Sequence, residues 1–206
     1  MRRNDPQASP DAELVLQLRA ENELLRRNNE RYRRMLERDP VTGLFSRSHF
    51  EWRLDYEWSR ATCFWTPLSL LYVGVDGLMG LRHVAGPRAS LELVRAAARL
   101  LDAACRDVDI VCRIAPDGFA VILPGTNRLG AEAIAMRFEE LWSGTAWPAP
   151  GIELAFGLAV AFGETRSPSE LVRMASEALV RDRGGMRSSG APTEPSLARP
   201  PWIDAA

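Results

Sequence analysis

The sequence predicts an α/β (α+β) sandwich: a mostly antiparallel central sheet covered by helices, preceded by a long coiled-coil helix. Three observations carry this. Residues 11–38 hold a seam of apolar residues and asparagines at alternating spacings of three and four. Apolar runs of strand length, such as 68–75, stand between segments of helix length. The order of these pieces is helix, strand, helix, hairpin, helix, strand, helix, a mixture that suits helices packed on an antiparallel sheet.

The N-terminal 1–10 is polar and is expected to be disordered. Ser9-Pro10 suits a helix start. In the seam that follows, Val15, Asn22, Asn29 and Leu36 take heptad position a, and Leu18, Leu25 and Tyr32 take d. A period of 3.5 residues argues for a coiled coil, and asparagine at a selects two strands in parallel register. Residues 11–38 are therefore expected to join two copies as a parallel homodimer. Asp39-Pro40 ends the helix, because proline disfavours helical geometry in the residue before it.

Beyond it, 46–60 reads as a helix and 68–75, Leu-Ser-Leu-Leu-Tyr-Val-Gly-Val, as a buried strand. Residues 89–105 carry a helical stripe at Leu93, Ala97, Leu100 and Leu101. The hairpin is 110–114 with 119–123, and 129–142 is helical. Residues 152–162 form a central strand and 169–183 the last helix. From 187 to 206 the chain is rich in Gly, Ser, Pro and Arg and is expected to be disordered, with Trp202 as a candidate docking residue.

Composition narrows the classes. The 206 residues suffice for one medium domain and an accessory segment, and 46% hydrophobic content supplies a core. A net charge of -1 gives no case for nucleic acid or an anionic membrane. All 26 basic residues are arginine, a chain-wide bias that needs no functional cause. Cys63, Cys105 and Cys112 lack metal-ligand spacing and are expected to be reduced. No apolar run has membrane-span length and no signal-peptide core opens the chain, so a cytoplasmic protein is expected.

Two segments carry a family resemblance. Arg106-Asp-Val-Asp-Ile-Val-Cys-Arg-Ile-Ala-Pro-Asp-Gly-Phe119 resembles the signature of the GGDEF family, the bacterial diguanylate cyclases: Arg-x-x-Asp, a five-residue strand, then Gly-Gly-Asp-Glu-Phe at a hairpin turn. Asp39-Pro-Val-Thr-Gly-Leu-Phe-Ser-Arg47 resembles the family's entry motif Asp-x-Leu-Thr-Gly-Leu-x-Asn-Arg. The strand at 152–162 and the helix ending Ala-Ser-Glu-Ala-Leu-Val-Arg-Asp-Arg183 are similar to later family motifs, the latter to Ala-Asp-x-Ala-Leu-Tyr-x-Ala-Lys. The resemblance covers roughly 39–186.

It implies a cyclase that joins two GTP molecules with divalent metal on the phosphates. This chain departs from that pattern. Gly74 stands where a metal-binding aspartate is implied, Leu91 where a guanine-reading aspartate is, and Gly118 at the catalytic glutamate. Ala115 and Pro116 replace the turn glycines. Asp76 and Asp117 remain, as a vestigial active site. Arg82 and His83 offer no replacement chemistry. The expectation is therefore no enzyme, no catalytic residue, and no metal or cofactor.

The family's inhibitory site for cyclic di-GMP is implied at Arg106 and Asp109, with Arg137 from the helix after the hairpin. Arginine can fork onto guanine O6 and N7 or grip phosphate, and aspartate can accept from guanine N1 and N2. The expected function is a cyclic di-GMP receptor with a downstream protein partner. The alternative is a nucleotide-independent dimeric scaffold, and residual cyclase is the least expected.

Overall fold

The computed structural model describes residues 14–15, 18–19, 21–24, 37–147, 151–162 and 165–187. The chain divides into two compact units, Met1–Glu37 and Arg38–Ala206, each described by itself. In the first, Val15, Leu18 and Asn22 of the expected seam are helical and exposed. Leu25, Asn29, Tyr32 and Leu36 lie outside the described residues, as do 1–10 and the tail with Trp202.

The second unit runs α1 (Arg47–Phe64), β1 (Leu68–Val75), α2 (Leu78–Ala104), β2 (Ile110–Ala115), β3 (Gly118–Pro124), α3 (Arg128–Ser143), β4 (Leu154–Val160) and α4 (Pro168–Arg187). The four strands form one sheet in the order β2-β3-β1-β4, with every neighbouring pair antiparallel. This is the expected element order and the expected antiparallel sheet.

Alternation along the strands builds a core on each face. Leu71, Val73 and Val75 of β1, with Val111, Phe119, Val121 and Leu123, pack against α2 and α3 through Leu93, Ala97, Leu101, Ile134 and Phe138. Leu68, Leu70 and Tyr72, with Ile110, Cys112, Ala120 and Ile122, pack against Phe50 and Leu54 of α1 and Leu171 and Ala175 of α4. All eight residues of β1 are buried, which explains its unbroken apolar run. Each fully buried leucine or valine contributes about 1.5–3 kcal/mol. Helix starts follow their side chains: Ser46 Oγ accepts from His49 N at 3.3 Å, and Asn127 Oδ1 from Gly130 N at 3.0 Å.

Several boundaries differ from the sequence reading: α1 runs on to Phe64, β4 begins at Leu154, and α4 runs on to Arg187. Helix α2 begins at Leu78 rather than near residue 89, because Leu81 finds a buried place and draws 78–85 into helical turns. A kink at Gly86 (φ 85°), followed by Pro87, joins this stretch to the longer helix. Strand β4 ends at Val160, and Phe162 turns out of it at φ 66°.

The entry motif anchors the unit. Asp39 Oδ1 accepts from Val41 N, Thr42 N and Thr42 Oγ1 at 3.2, 2.8 and 2.8 Å, closing a turn. Its two oxygens also take Arg113 Nη1 of β2, at 3.1 and 3.2 Å. Phe45 then pairs with β2: its N–H donates to Val111 O at 3.2 Å and its carbonyl accepts from Arg113 N at 2.8 Å.

Candidate functional site

Two corners of the sheet gather the residues singled out by the sequence. The first lies where α2 runs into β2. Helix α2 ends at Ala104, and the turn 105–109 closes with Asp109 N donating to Arg106 O at 2.9 Å. The Asp109 side chain is wholly buried and accepts from Arg106 N at 2.8 Å and from Arg106 Nε and Nη2, both at 3.3 Å. Arg106 Nη2 also donates to Thr126 Oγ1 at 2.5 Å. Thr126 is fixed in turn, because its carbonyl accepts from the buried Ser69 hydroxyl at 2.8 Å.

The Arg106 guanidinium is thus held by Asp109 and Thr126 while the side chain as a whole stays 53% exposed. Arg137 comes to the same corner from the exposed face of α3. Burial, with Asp109 and Asp102, pushes the Cys105 thiol up to about 12, while the Arg137 and Arg106 charges pull the other way. Both charges are therefore felt at one thiol. The sequence reading had Asp109 facing a guanine edge; here its carboxylate faces inward and fixes Arg106. Thr126 was missed, since nothing in its local sequence marks it.

The second corner is the end of β1 and the hairpin turn. Gly74 stands opposite Gly118 in the β1–β3 register. Asp76 and Asp117 flank them, tied by Val75 N to Asp117 O at 2.9 Å and Asp76 N to Glu153 O at 2.8 Å. Among the described residues the only non-glycines at positive φ are Trp65 and Phe162. Ala115 and Pro116 therefore sit in the turn without left-handed backbone, and glycine is not required there.

Arg183 of α4 reaches over this corner. Its Nε lies 3.2 Å from Asp76 Oδ1, and its Nη2 3.3 Å from Asp117 Oδ2. Arg183 was not singled out from the sequence. The signal that could have found it is the close of the last family motif, where Arg183 falls on the lysine. Leu91 is 40% exposed on α2 and His83 Nδ1 is bonded to Met79 O at 2.8 Å within the same helix.

A divalent ion needs several converging oxygens. At this corner the two carboxylates instead converge on a guanidinium, and among the described residues no three His, Cys, Asp or Glu are grouped to hold a metal. The residues present do not fit a divalent ion, and no step is derived through one. None of the described helices is long and apolar enough to cross a membrane.

Comparison with known proteins gives the family. The model of the diguanylate cyclase GGDEF domain matches residues 36–189. No curated protein matches the chain. Among solved structures, the coiled coil and GGDEF domain of DgcB from Caulobacter crescentus, in complex with c-di-GMP, matches at 24% identity and a TM-score of 0.67, covering 87% of this chain and 97% of that one. The FimX GGDEF domain from Pseudomonas aeruginosa matches at 22% identity and 0.67, over 72% and 94%. Diguanylate cyclase SiaD from the same organism, solved with its activator SiaC, matches at 22% and 0.67, over 86% and 75%.

These findings correct the expectation that the chain is not an enzyme, since the family matched is one of cyclases. That expectation rested on Gly74, Leu91 and Gly118 together standing where the family carries acidic residues. The chain belongs to the diguanylate cyclase family of GGDEF domains.

Proposed function

We propose that this chain is a cyclic di-GMP-binding signalling protein of the cytoplasm, a receptor that passes ligand binding to a downstream protein partner. Arg106 and Arg137 grip the ligand and Asp109 holds Arg106 in position. Residues 39–186 form the binding domain, and 11–38 join two copies as a parallel homodimer.

The observation that carries this reading is the state of Arg106. A long arginine side chain loses about 2 kcal/mol of rotamer freedom when fixed. Here Asp109 and Thr126 have already fixed it, while the side chain as a whole stays 53% exposed. A preorganised fork binds guanine O6 and N7, or a phosphate, at a lower entropic cost than a free one. A second arginine whose charge is felt at the same corner suits a ligand that carries two purines and two phosphates. A relative built of a coiled coil and a GGDEF domain has been solved with this ligand.

The test is isothermal titration of the full chain with cyclic di-GMP, beside Arg106→Ala and Arg137→Ala. Wild type is expected to bind at micromolar concentration or below. Each variant is expected to lose about 1–3 kcal/mol, roughly tenfold to hundredfold in affinity. Arg137 is exposed on α3, so its variant separates ligand contact from folding. No binding by folded wild type, or binding as tight as wild type by both variants, contradicts the proposal.

The burial of Asp109 favours a second reading, in which Arg-x-x-Asp only closes the α2–β2 corner of a dimeric scaffold. Under it, Arg106→Ala lowers the melting temperature while Arg137→Ala changes nothing.

A further inference from the structure

We propose that Arg183 is a resident cation for the Asp76–Asp117 pair, seated in the room that Gly74 leaves and standing where a divalent ion would otherwise sit between these carboxylates. This inference concerns the second corner and does not depend on cyclic di-GMP binding at the first.

The space comes first. A Cβ built on Gly74 meets the Arg183 guanidinium: Nη2 at 2.2 Å, Cζ at 2.8 Å and Nε at 2.9 Å. No side chain at position 74 can share the seat, least of all a carboxylate, whose oxygens reach further than Cβ. The absence of a side chain at 74 and the presence of the arginine are one arrangement, not two separate substitutions. A Cβ on Gly118, directly opposite, would instead meet Ala115 Cβ at 3.1 Å, so the seat is set by Gly74.

The charge comes second. Asp76 at the end of β1 and Asp117 in the hairpin turn are brought to one side by backbone pairing, whatever their side chains prefer. Two carboxylates held together repel, and a cation between them offsets that repulsion. Arg183 supplies one positive charge and a planar fork able to face two carboxylates at once. It is 26% exposed, so water screens these contacts only in part.

The third point is that the arginine is aimed. Helix α4 lies directly on β4: a Cβ at Gly157 would stand 2.0 Å from Ala175 O and 2.5 Å from Leu179 N. The neighbouring Asp182 accepts from Phe156 N at 2.8 Å, pinning the helix to the edge strand one residue before Arg183. The backbone at 183 is fixed before its side chain reaches the carboxylates. A tethered cation has an effective concentration far above that of a dissolved ion.

The test is Mn²⁺ binding to the full chain, read by electron paramagnetic resonance of the free ion, for wild type, Arg183→Met and Gly74→Asp. Wild type is expected to take up no Mn²⁺ at this corner. Arg183→Met keeps the apolar stem, takes the guanidinium charge from beside the two carboxylates, and is expected to gain a millimolar site that Asp117→Asn in the same background removes. Gly74→Asp ejects the guanidinium and adds a third carboxylate, so it is expected to bind roughly tenfold tighter than Arg183→Met. Should Arg183→Met not fold, the Gly74→Asp comparison carries the test unaided. Wild type binding Mn²⁺ as tightly as Arg183→Met would mean that the guanidinium gives way freely, and overturns the proposal. Gly74→Asp as silent as wild type overturns it too, since no ion place then exists for Arg183 to hold.

Discussion

Replacing Asp39 by alanine is the sharpest perturbation of the fold's entry point. The carboxylate accepts three bonds from its own turn and two from Arg113, with side-chain exposures of only 18% for Asp39 and 12% for Arg113. After the change Arg113 keeps Pro116 O at 2.9 Å, while its buried Nε has no hydrogen-bond partner. Breaking a buried pair from one side costs about 3–5 kcal/mol, and the residual exposure here sets the expectation near the lower end, about 3 kcal/mol. For a chain of this size that is a fall in Tm of roughly 6–12 °C. Asp39→Asn keeps an acceptor for the turn and loses the charge, so it should fall between. Urea unfolding should show a lower midpoint at unchanged m. The pH dependence has a definite sign. Burial pushes the Asp39 carboxyl up, but hydrogen bonds from the Thr42 hydroxyl and N–H, and the bond and charge of Arg113, outweigh it and hold it below its ordinary 3.8. The group's contribution is therefore full above its unfolded value and is lost as pH falls through the lower folded value. The gap between wild type and Asp39→Ala should be level at neutral pH and close in acid below about pH 4. A variant within about 0.5 kcal/mol of wild type at neutral pH would refute this account of the entry motif.

Three further outcomes follow from the packing. Gly157→Ala places a methyl into the backbone of α4 at Ala175 O, and should cost about 3 kcal/mol or more or prevent folding, measured by urea unfolding. Glu57 is 2% exposed and carries Arg53 at 2.8 Å and Arg60 at 2.7 Å, both of which reach solvent; Glu57→Met should be neutral or raise Tm, because an apolar side chain avoids the desolvation of the carboxylate. Of the three thiols only Cys63 is exposed, and burial raises both Cys105 and Cys112, so a disulfide reagent near pH 8 should titrate one thiol in the native protein and all three after denaturation.

What the sequence made legible follows from how local each feature is. The hairpin, β1 and the order of elements were readable, because apolar alternation and turn residues act over a few positions. The first turns of α2 were not: residues 78–85 have one buried anchor, Leu81, and its burial depends on the sheet below. Asp39 was readable as a motif but not as a clamp, since Arg113 lies 74 residues away. The pairing of Arg106 with Asp109 was in the spacing, whereas the inward turn of Asp109 and the support from Thr126 needed the fold. Arg183 escaped notice because its seat is set by Gly74 and by the path of α4 over β4. Reading Gly74, Leu91 and Gly118 together as the loss of catalysis led to an expectation of no enzyme that the family match does not support.

The most direct measurement for the central claim is amide hydrogen exchange of the full chain with and without cyclic di-GMP, followed by peptide mass spectrometry. The account predicts ligand-dependent protection at 104–109 and on α3 around Arg137, lost in Arg106→Ala. Protection confined to 74–78 and 115–118, or none at saturating ligand, would contradict it.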